Sequence, residues 1–203
     1  MPPTKTNLKR QSIVKAATRM FLTHGYRNIS MDKVAKAAPV SKATLYNHFD
    51  SKNALLAGVI AELCESLYQT ITLTDTLENS IEDTLNRIAA SFVELIFSEE
   101  AIDIYRLVIA ESRDFPELSQ LFYDVGPQAV RKQLEDYLQN LSVDNGLLSA
   151  DAAFSANALL SMLMSDLHMQ CLLGIRPLPS EEEKKQLVNK VVSFYLRGMP
   201  HDT

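Results

Sequence analysis

Apolar residues recur at helical spacing along almost the whole chain, and no stretch alternates as a half-buried strand would. The first stripe, Ile13, Ala16, Ala17, Met20 and Phe21, predicts a helix from about Leu8 to His24, closed by Gly25. Met31, Val34, Ala35 and Ala38 then predict a short helix over Met31 to Ala37, with Ser30 as N-cap and Asp32 in its first turn. A second short helix follows over about Ser41 to Phe49, capped by Ser41 and burying Leu45 and Phe49. Asp50 or Ser51 caps a fourth helix that runs to about Leu73.

Beyond it the punctuation is equally regular. Asp75 and Glu78 form a capping-box pattern ahead of Leu77, Ile81, Leu85, Ile88, Phe92, Leu95 and Ile96. A helix is expected from about Glu100 to Ser112. The next opens on Asp114-Phe115-Pro116-Glu117, a second capping-box pattern, and is kinked or broken at Gly126-Pro127. Asn145-Gly146 marks a stop, and Ser149 caps a largely apolar helix reaching Leu173. Ser180 and Glu183 form the clearest capping box of all, opening a last helix to about Leu196. The pattern is all-α.

Composition agrees: 203 residues with 46% hydrophobic content suffice for one large or two small cores, and Gly and Pro are few. Cys64 and Cys171 lie far apart with no Cys-x-x-Cys partner, as expected of buried thiols in a reducing cytoplasm. The N-terminus is polar and basic, so no signal peptide is expected, and Asp166 and His168 interrupt the longest apolar run, so no membrane span is expected there. Charge changes the picture more. Residues 1–53 carry ten basic and two acidic side chains, net +8, and the remainder carries ten and twenty-three, net −13. A basic head on an acidic body fits a DNA-binding segment joined to a companion that does not touch DNA.

The outer face of the Ser41–Phe49 helix carries the matching chemistry: basic, hydroxylated and aromatic, with no acid before Asp50. Lys42, Ala43 and Asn47 suit base edges, while Thr44, Tyr46, His48 and Lys52 suit phosphate, with Ser30 at the head of the preceding helix. Two short helices with a tight break are a helix-turn-helix, whose second helix enters the major groove. The run MDKVAKAAPVSKATLYNHFDSKNALL, with Leu45-Tyr46, His48-Phe49 and Ser51-Lys52 in order and Phe21 and Gly25-Tyr26 ahead of it, resembles the DNA-binding signature of the TetR family of bacterial transcriptional regulators. One position departs: the family usually has Gly where this chain has Pro39, which predicts a turn made differently.

Ile104 to Pro127, with Tyr105-Arg106-Leu107, Glu111 and Phe115-Pro116-Glu117-Leu118, is similar to the C-terminal domain of the AefR-like branch of that family. The resemblance implies a three-helix DNA-binding head, residues 1–52, joined to a larger helical effector-binding and dimerisation domain, residues 53–203. It also implies a pocket with apolar groups from Phe92, Ile96, Tyr105, Ile109, Phe122 and Met162, oriented by Arg106 and His168. The helix from Ser149 is apolar almost all round, which predicts a dimer seam of Phe154, Ala158, Leu159, Leu163 and Leu167 against Val188, Val191 and Tyr195 of the last helix.

His168 and Cys171 stand i and i+3, yet one His and one Cys are too few for a zinc site, and no base-and-orienter set accompanies the thiol. No cofactor, metal or catalysis is expected. The expected function is a cytoplasmic, homodimeric DNA-binding regulator, a repressor on a near-palindromic operator, released by a small apolar or amphipathic effector. The competing reading is a helical dimeric adaptor or small-molecule carrier that has lost DNA binding.

Overall fold

The computed structural model describes residues 5–74, 80–145 and 151–198. Every regular element among them is helical: eleven α-helices and one π turn. The chain packs as two compact units, one of residues up to Leu63 with Asp103–Gly126, the other of Cys64–Ile102 with Pro127 onwards.

The first unit opens with α1 (Lys5–His24), whose Ile13, Ala17 and Phe21 are fully buried. It begins three residues earlier than the apolar stripe alone predicts. Gly25 ends it at φ 76°, a left-handed position that a side chain would strain. Then come α2 (Met31–Ala37), α3 (Lys42–His48) and α4 (Lys52–Thr74). The Ser51 hydroxyl accepts from the Ala54 amide at 3.1 Å and so caps α4. By length and apolar content the Lys52–Thr72 stretch of α4 meets the requirement for a membrane span, but its Leu55, Leu56 and Val59 are buried in protein.

The same unit takes in most of α6 (Glu99–Glu111) and all of α7 (Pro116–Tyr123). The capping box expected at the start of α7 does not form. Phe115 occupies the N-cap without a side-chain bond, because the Asp114 carboxylate turns to pair with the Arg27 guanidinium. That guanidinium also lies 5.4 Å from the centre of the Phe115 ring, and the Arg27 amide donates to Glu111 Oε1 at 3.3 Å. The expected break at Gly126-Pro127 takes the form of the π turn, Asp124–Gln128.

The second unit is built from α5 (Ile81–Ile96), α8 (Ala129–Asn145), α9 (Ala152–Leu163), α10 (Asp166–Leu172) and α11 (Glu181–Gly198). Helix α9 packs on α8 and α11, and α11 packs on α5, around Leu85, Ile88, Leu134, Leu138, Leu159 and Val192. The expected caps Asp75 and Ser149 lie outside the described residues. Ser80 caps α5, its hydroxyl accepting from the Asp83 amide at 3.1 Å, and Asp151 caps α9, its carboxylate accepting from the Phe154 amide at 2.8 Å. The apolar stretch read as one helix to Leu173 is two, parted at Met164 and Ser165. At α11 the capping box is complete: the Ser180 amide donates to Glu183 Oε2 at 2.9 Å, and the Glu183 amide donates to the Ser180 hydroxyl at 3.3 Å. The Arg176 guanidinium, with the Ser180 amide and hydroxyl, holds the Glu183 carboxyl down at about 2.

Candidate nucleic-acid interface

Both short helices are capped as their sequences dictate. The Ser30 hydroxyl accepts from the Lys33 amide at 3.4 Å, and the Ser41 hydroxyl accepts from the Thr44 amide at 3.0 Å. Under them lie Met31, Val34 and Leu45, and beside them Phe49. Phe49 reaches its place because α4 has no side chain at Gly58: a Cβ there would stand 2.5 Å from the Phe49 ring. The Arg10 guanidinium, paired with Glu62 at 3.2 Å, lies 5.5 Å from the centre of the same ring. The end of α3 is thus held by α1 and α4, which leaves its outer face free to be presented.

On that face Lys42, Ala43, Tyr46 and Asn47 are exposed, and Thr44 and His48 are half-buried. The Thr44 hydroxyl shares a 2.8 Å hydrogen bond with the Ser41 hydroxyl. Lys42 is engaged as well: its ammonium meets the Asp32 carboxylate of α2 at 2.9 and 3.1 Å, which raises the Lys42 pKa, and it lies 6.0 Å from the centre of the Tyr46 ring. Exposed donors of this kind on the second of two capped helices are what phosphates and base edges require.

The turn between the helices corrects one expectation. It is not rebuilt to suit a proline. Ala38 donates to the Val34 carbonyl at 2.9 Å and Val40 to the Ala35 carbonyl at 3.1 Å, the six-to-one bond of a Schellman motif. Pro39 occupies the residue that such a motif gives to glycine, at φ 22°. It has no amide hydrogen, so the motif's companion five-to-two bond is lost.

Lys52, expected to hold a phosphate, is engaged within its own chain. Its ammonium donates to the Tyr26 carbonyl at 3.0 Å and the Ile29 carbonyl at 3.1 Å, and sits 4.0 Å from the centre of the Tyr26 ring. Burial lowers its pKa, with the Glu111 carboxylate pulling the other way. Lys52 therefore ties the α1–α2 loop to α4. Tyr26 is clasped from other sides too, its hydroxyl donating to Asn53 and its ring edge-on to Phe115 at 5.5 Å. Burial pushes its phenol up to about 12, and Glu117 adds to the shift. The sequence gives no sign of Phe115 beside Tyr26.

Residues 13–59 match the bacterial regulatory proteins of the tetR family, and residues 83–198 match the AefR-like transcriptional repressor C-terminal domain. The chain belongs to the TetR family. It is a DNA-binding transcriptional regulator whose helix-turn-helix is α2 and α3. A TetR-family regulator from Mesorhizobium loti MAFF303099 shares the fold at TM-score 0.77, with 24% identity over 96% of this chain and 98% of its own. The flavonoid-responsive regulator FrrA is 32% identical at TM-score 0.71, over 96% and 99% of the two chains. The repressor DhaR of Mycobacterium sp. strain GP1 is 34% identical over 87 residues, 43% of each chain.

In this TetR-family chain the residues assigned to a pocket divide between the units. Tyr105 and Phe122 meet edge to face at 4.8 Å in the first, where Ile109 is 62% exposed and Arg106 pairs with Asp103 at 3.1 Å on the surface. Ile109 and Arg106 point outward because the buried side of α6 is taken by Ile104 and Val108. In the second unit Phe92, Ile96 and His168 are buried and Met162 is half-buried. The His168 ring stands edge-on to Phe97 at 5.6 Å, and its pKa is lowered by burial, against a hydrogen bond with the Ile96 backbone. The Cys171 thiol lies 3.5 Å from the Pro177 carbonyl. Among the described residues no three His, Cys, Asp or Glu side chains are grouped to hold a metal.

The dimer residues also divide. Leu159 and Leu163 are wholly buried within the chain, and Val188 and Tyr195 nearly so, with the Tyr195 hydroxyl donating to the Ser155 carbonyl at 3.1 Å. They form the unit's own core and are unavailable to a partner. Leu167 is half-buried on α10, beyond the break. Phe154 is 69% exposed, and Ala158 and Val191 are half-exposed. Phe194, one residue from Tyr195, is 65% exposed.

Proposed function

We propose that this regulator is a ligand-responsive repressor that acts in the cytoplasm as a homodimer on a near-palindromic operator. The observation that carries the DNA contact is α3 itself, anchored through Leu45 and Phe49 while Lys42, Ala43, Tyr46 and Asn47 stay exposed. Lys42, Ala43 and Asn47 read base edges. Thr44, Tyr46 and His48 hold phosphates, and Ser30 lies at the same surface. One α3 engages too few base pairs for tight discrimination, so two heads take half-sites about 34–36 Å apart or a multiple of that.

The dimer reading is supported by the apolar face of α9 and α11, with Phe154 and Phe194 at one end and Ala158 and Val191 along it. Two such faces about a two-fold axis give a four-helix seam. A small apolar or amphipathic effector is supported by FrrA, a relative that responds to flavonoids, with Phe92, Ile96, Met162 and His168 of the second unit as the residues proposed to meet it. Repression is supported by the C-terminal family and by DhaR.

A gel shift with DNA flanking the protein's own gene, followed by selection from random duplexes, tests the reading. A dyad-symmetric site, weakened by an aromatic effector, is the expected result. A protein that selects no sequence would overturn it.

A further inference from the structure

The only acidic side chain of α2 is clamped to the first residue of the recognition helix: Asp32 Oδ1 and Oδ2 lie 2.9 and 3.1 Å from the Lys42 ammonium. Both groups are exposed, so the pair adds little to stability. Its position is the informative feature, since the first turn of the second helix of a helix-turn-helix lies against base edges.

We propose that Asp32 is a specificity-determining positioning residue, which acts on DNA through Lys42. A lysine is a compact point charge on a flexible stem, and alone it would take the nearest phosphate on any duplex. Phosphate contacts carry no sequence information. With its charge matched by Asp32, the ammonium gains little from a phosphate, and the carboxylate is itself repelled by the phosphate row. An ammonium still has donors to spare when one or two face a carboxylate, and these can reach the O6 and N7 acceptors of a guanine, where no phosphate crowds Asp32. The pair turns a roaming cation into a directed donor and penalises binding to the wrong sequence.

This rests on the DNA-binding reading and is tested with Asp32→Asn, which keeps the shape and removes the charge. Binding to a mixed-sequence duplex is titrated at several salt concentrations beside binding to the selected site. Asp32→Asn is expected to tighten mixed-sequence binding roughly fivefold and steepen its salt slope by about one, as for one added phosphate contact, while preference for the selected site narrows. In a Lys42→Gln background the same change should do much less. No change in mixed-sequence affinity or slope would overturn the proposal. An equal gain in the Lys42→Gln background would overturn it too, since Asp32 would then act as a general repulsive charge. Wild-type protein that binds no duplex at all would instead remove the DNA-binding reading.

Discussion

Lys52 sits 4.0 Å from the centre of the Tyr26 ring and donates to two carbonyls of the loop that ring belongs to. The ammonium satisfies backbone acceptors between α1 and α2, and it fixes where α2 begins relative to α4. Hydrogen bonds to a charged donor contribute about 1.5–3 kcal/mol each, and a partly desolvated cation–π contact roughly another. These overlap in one side chain, so Lys52→Ala is expected to cost about 2 kcal/mol overall, read by urea denaturation. The salt slope of DNA binding should stay at the wild-type value. A slope reduced by about one at unchanged stability would return Lys52 to the phosphate contacts.

Pro39 holds a glycine's place. Its φ of 22° lies far from the value of about −65° that the pyrrolidine ring prefers. Strain of this kind costs about 1–3 kcal/mol, while glycine gives back up to about 1 kcal/mol through a freer unfolded chain. Pro39→Gly also supplies the missing amide for the Schellman motif. The variant should therefore gain about 1 kcal/mol, seen as a higher Tm, and keep its DNA selectivity. A lower Tm would show that the turn is relaxed around the proline.

These two sites show what the sequence could and could not carry. The α2 and α3 boundaries were legible because Ser30 and Ser41 are local caps and Leu45 and Phe49 are spaced one turn apart. The engagement of Lys52 was not legible because the sequence gives its charge and not its partners, which lie 23 and 26 residues back. Asp114 was misassigned to a cap for the same reason, its partner being 87 residues away. In α9 the difficulty was different: a helix apolar on every side does not reveal which face meets its own core. Leu159 and Phe154 look alike in sequence, yet one is wholly buried and the other largely exposed. The break at Met164 and Ser165 has no Gly or Pro to announce it.

His168 gives a pH dependence. Burial sets its folded pKa below the ordinary value of about 6.5. The unfolded chain therefore binds the proton first, and stability is full above about pH 6.5 and falls as pH drops towards the folded pKa. His168→Leu removes this titration, so its Tm should decline less than the wild type's between about pH 7 and pH 5. Parallel declines would mean that His168 protonates as readily in the folded protein as in the unfolded one.

The dimer reading separates two leucine-to-charge and phenylalanine-to-charge experiments that the sequence alone would treat as equivalent. Leu163 is wholly buried within the chain, so Leu163→Arg places an unpaired charge in the unit's own core and should unfold it. Phe194, 65% exposed on α11, costs its own chain little when changed. In a seam across a two-fold axis, however, every substitution enters twice. Phe194→Glu would bring two carboxylates into one apolar interface and should weaken association at least a hundredfold, about 2.7 kcal/mol. Sedimentation should show a wild-type dimer and a Phe194→Glu monomer of unchanged helical circular dichroism, whose affinity for a full operator falls towards that for a single half-site duplex. A wild type that sediments as a monomer at micromolar concentration would leave the exposed face of α9 and α11 without a second copy to cover it.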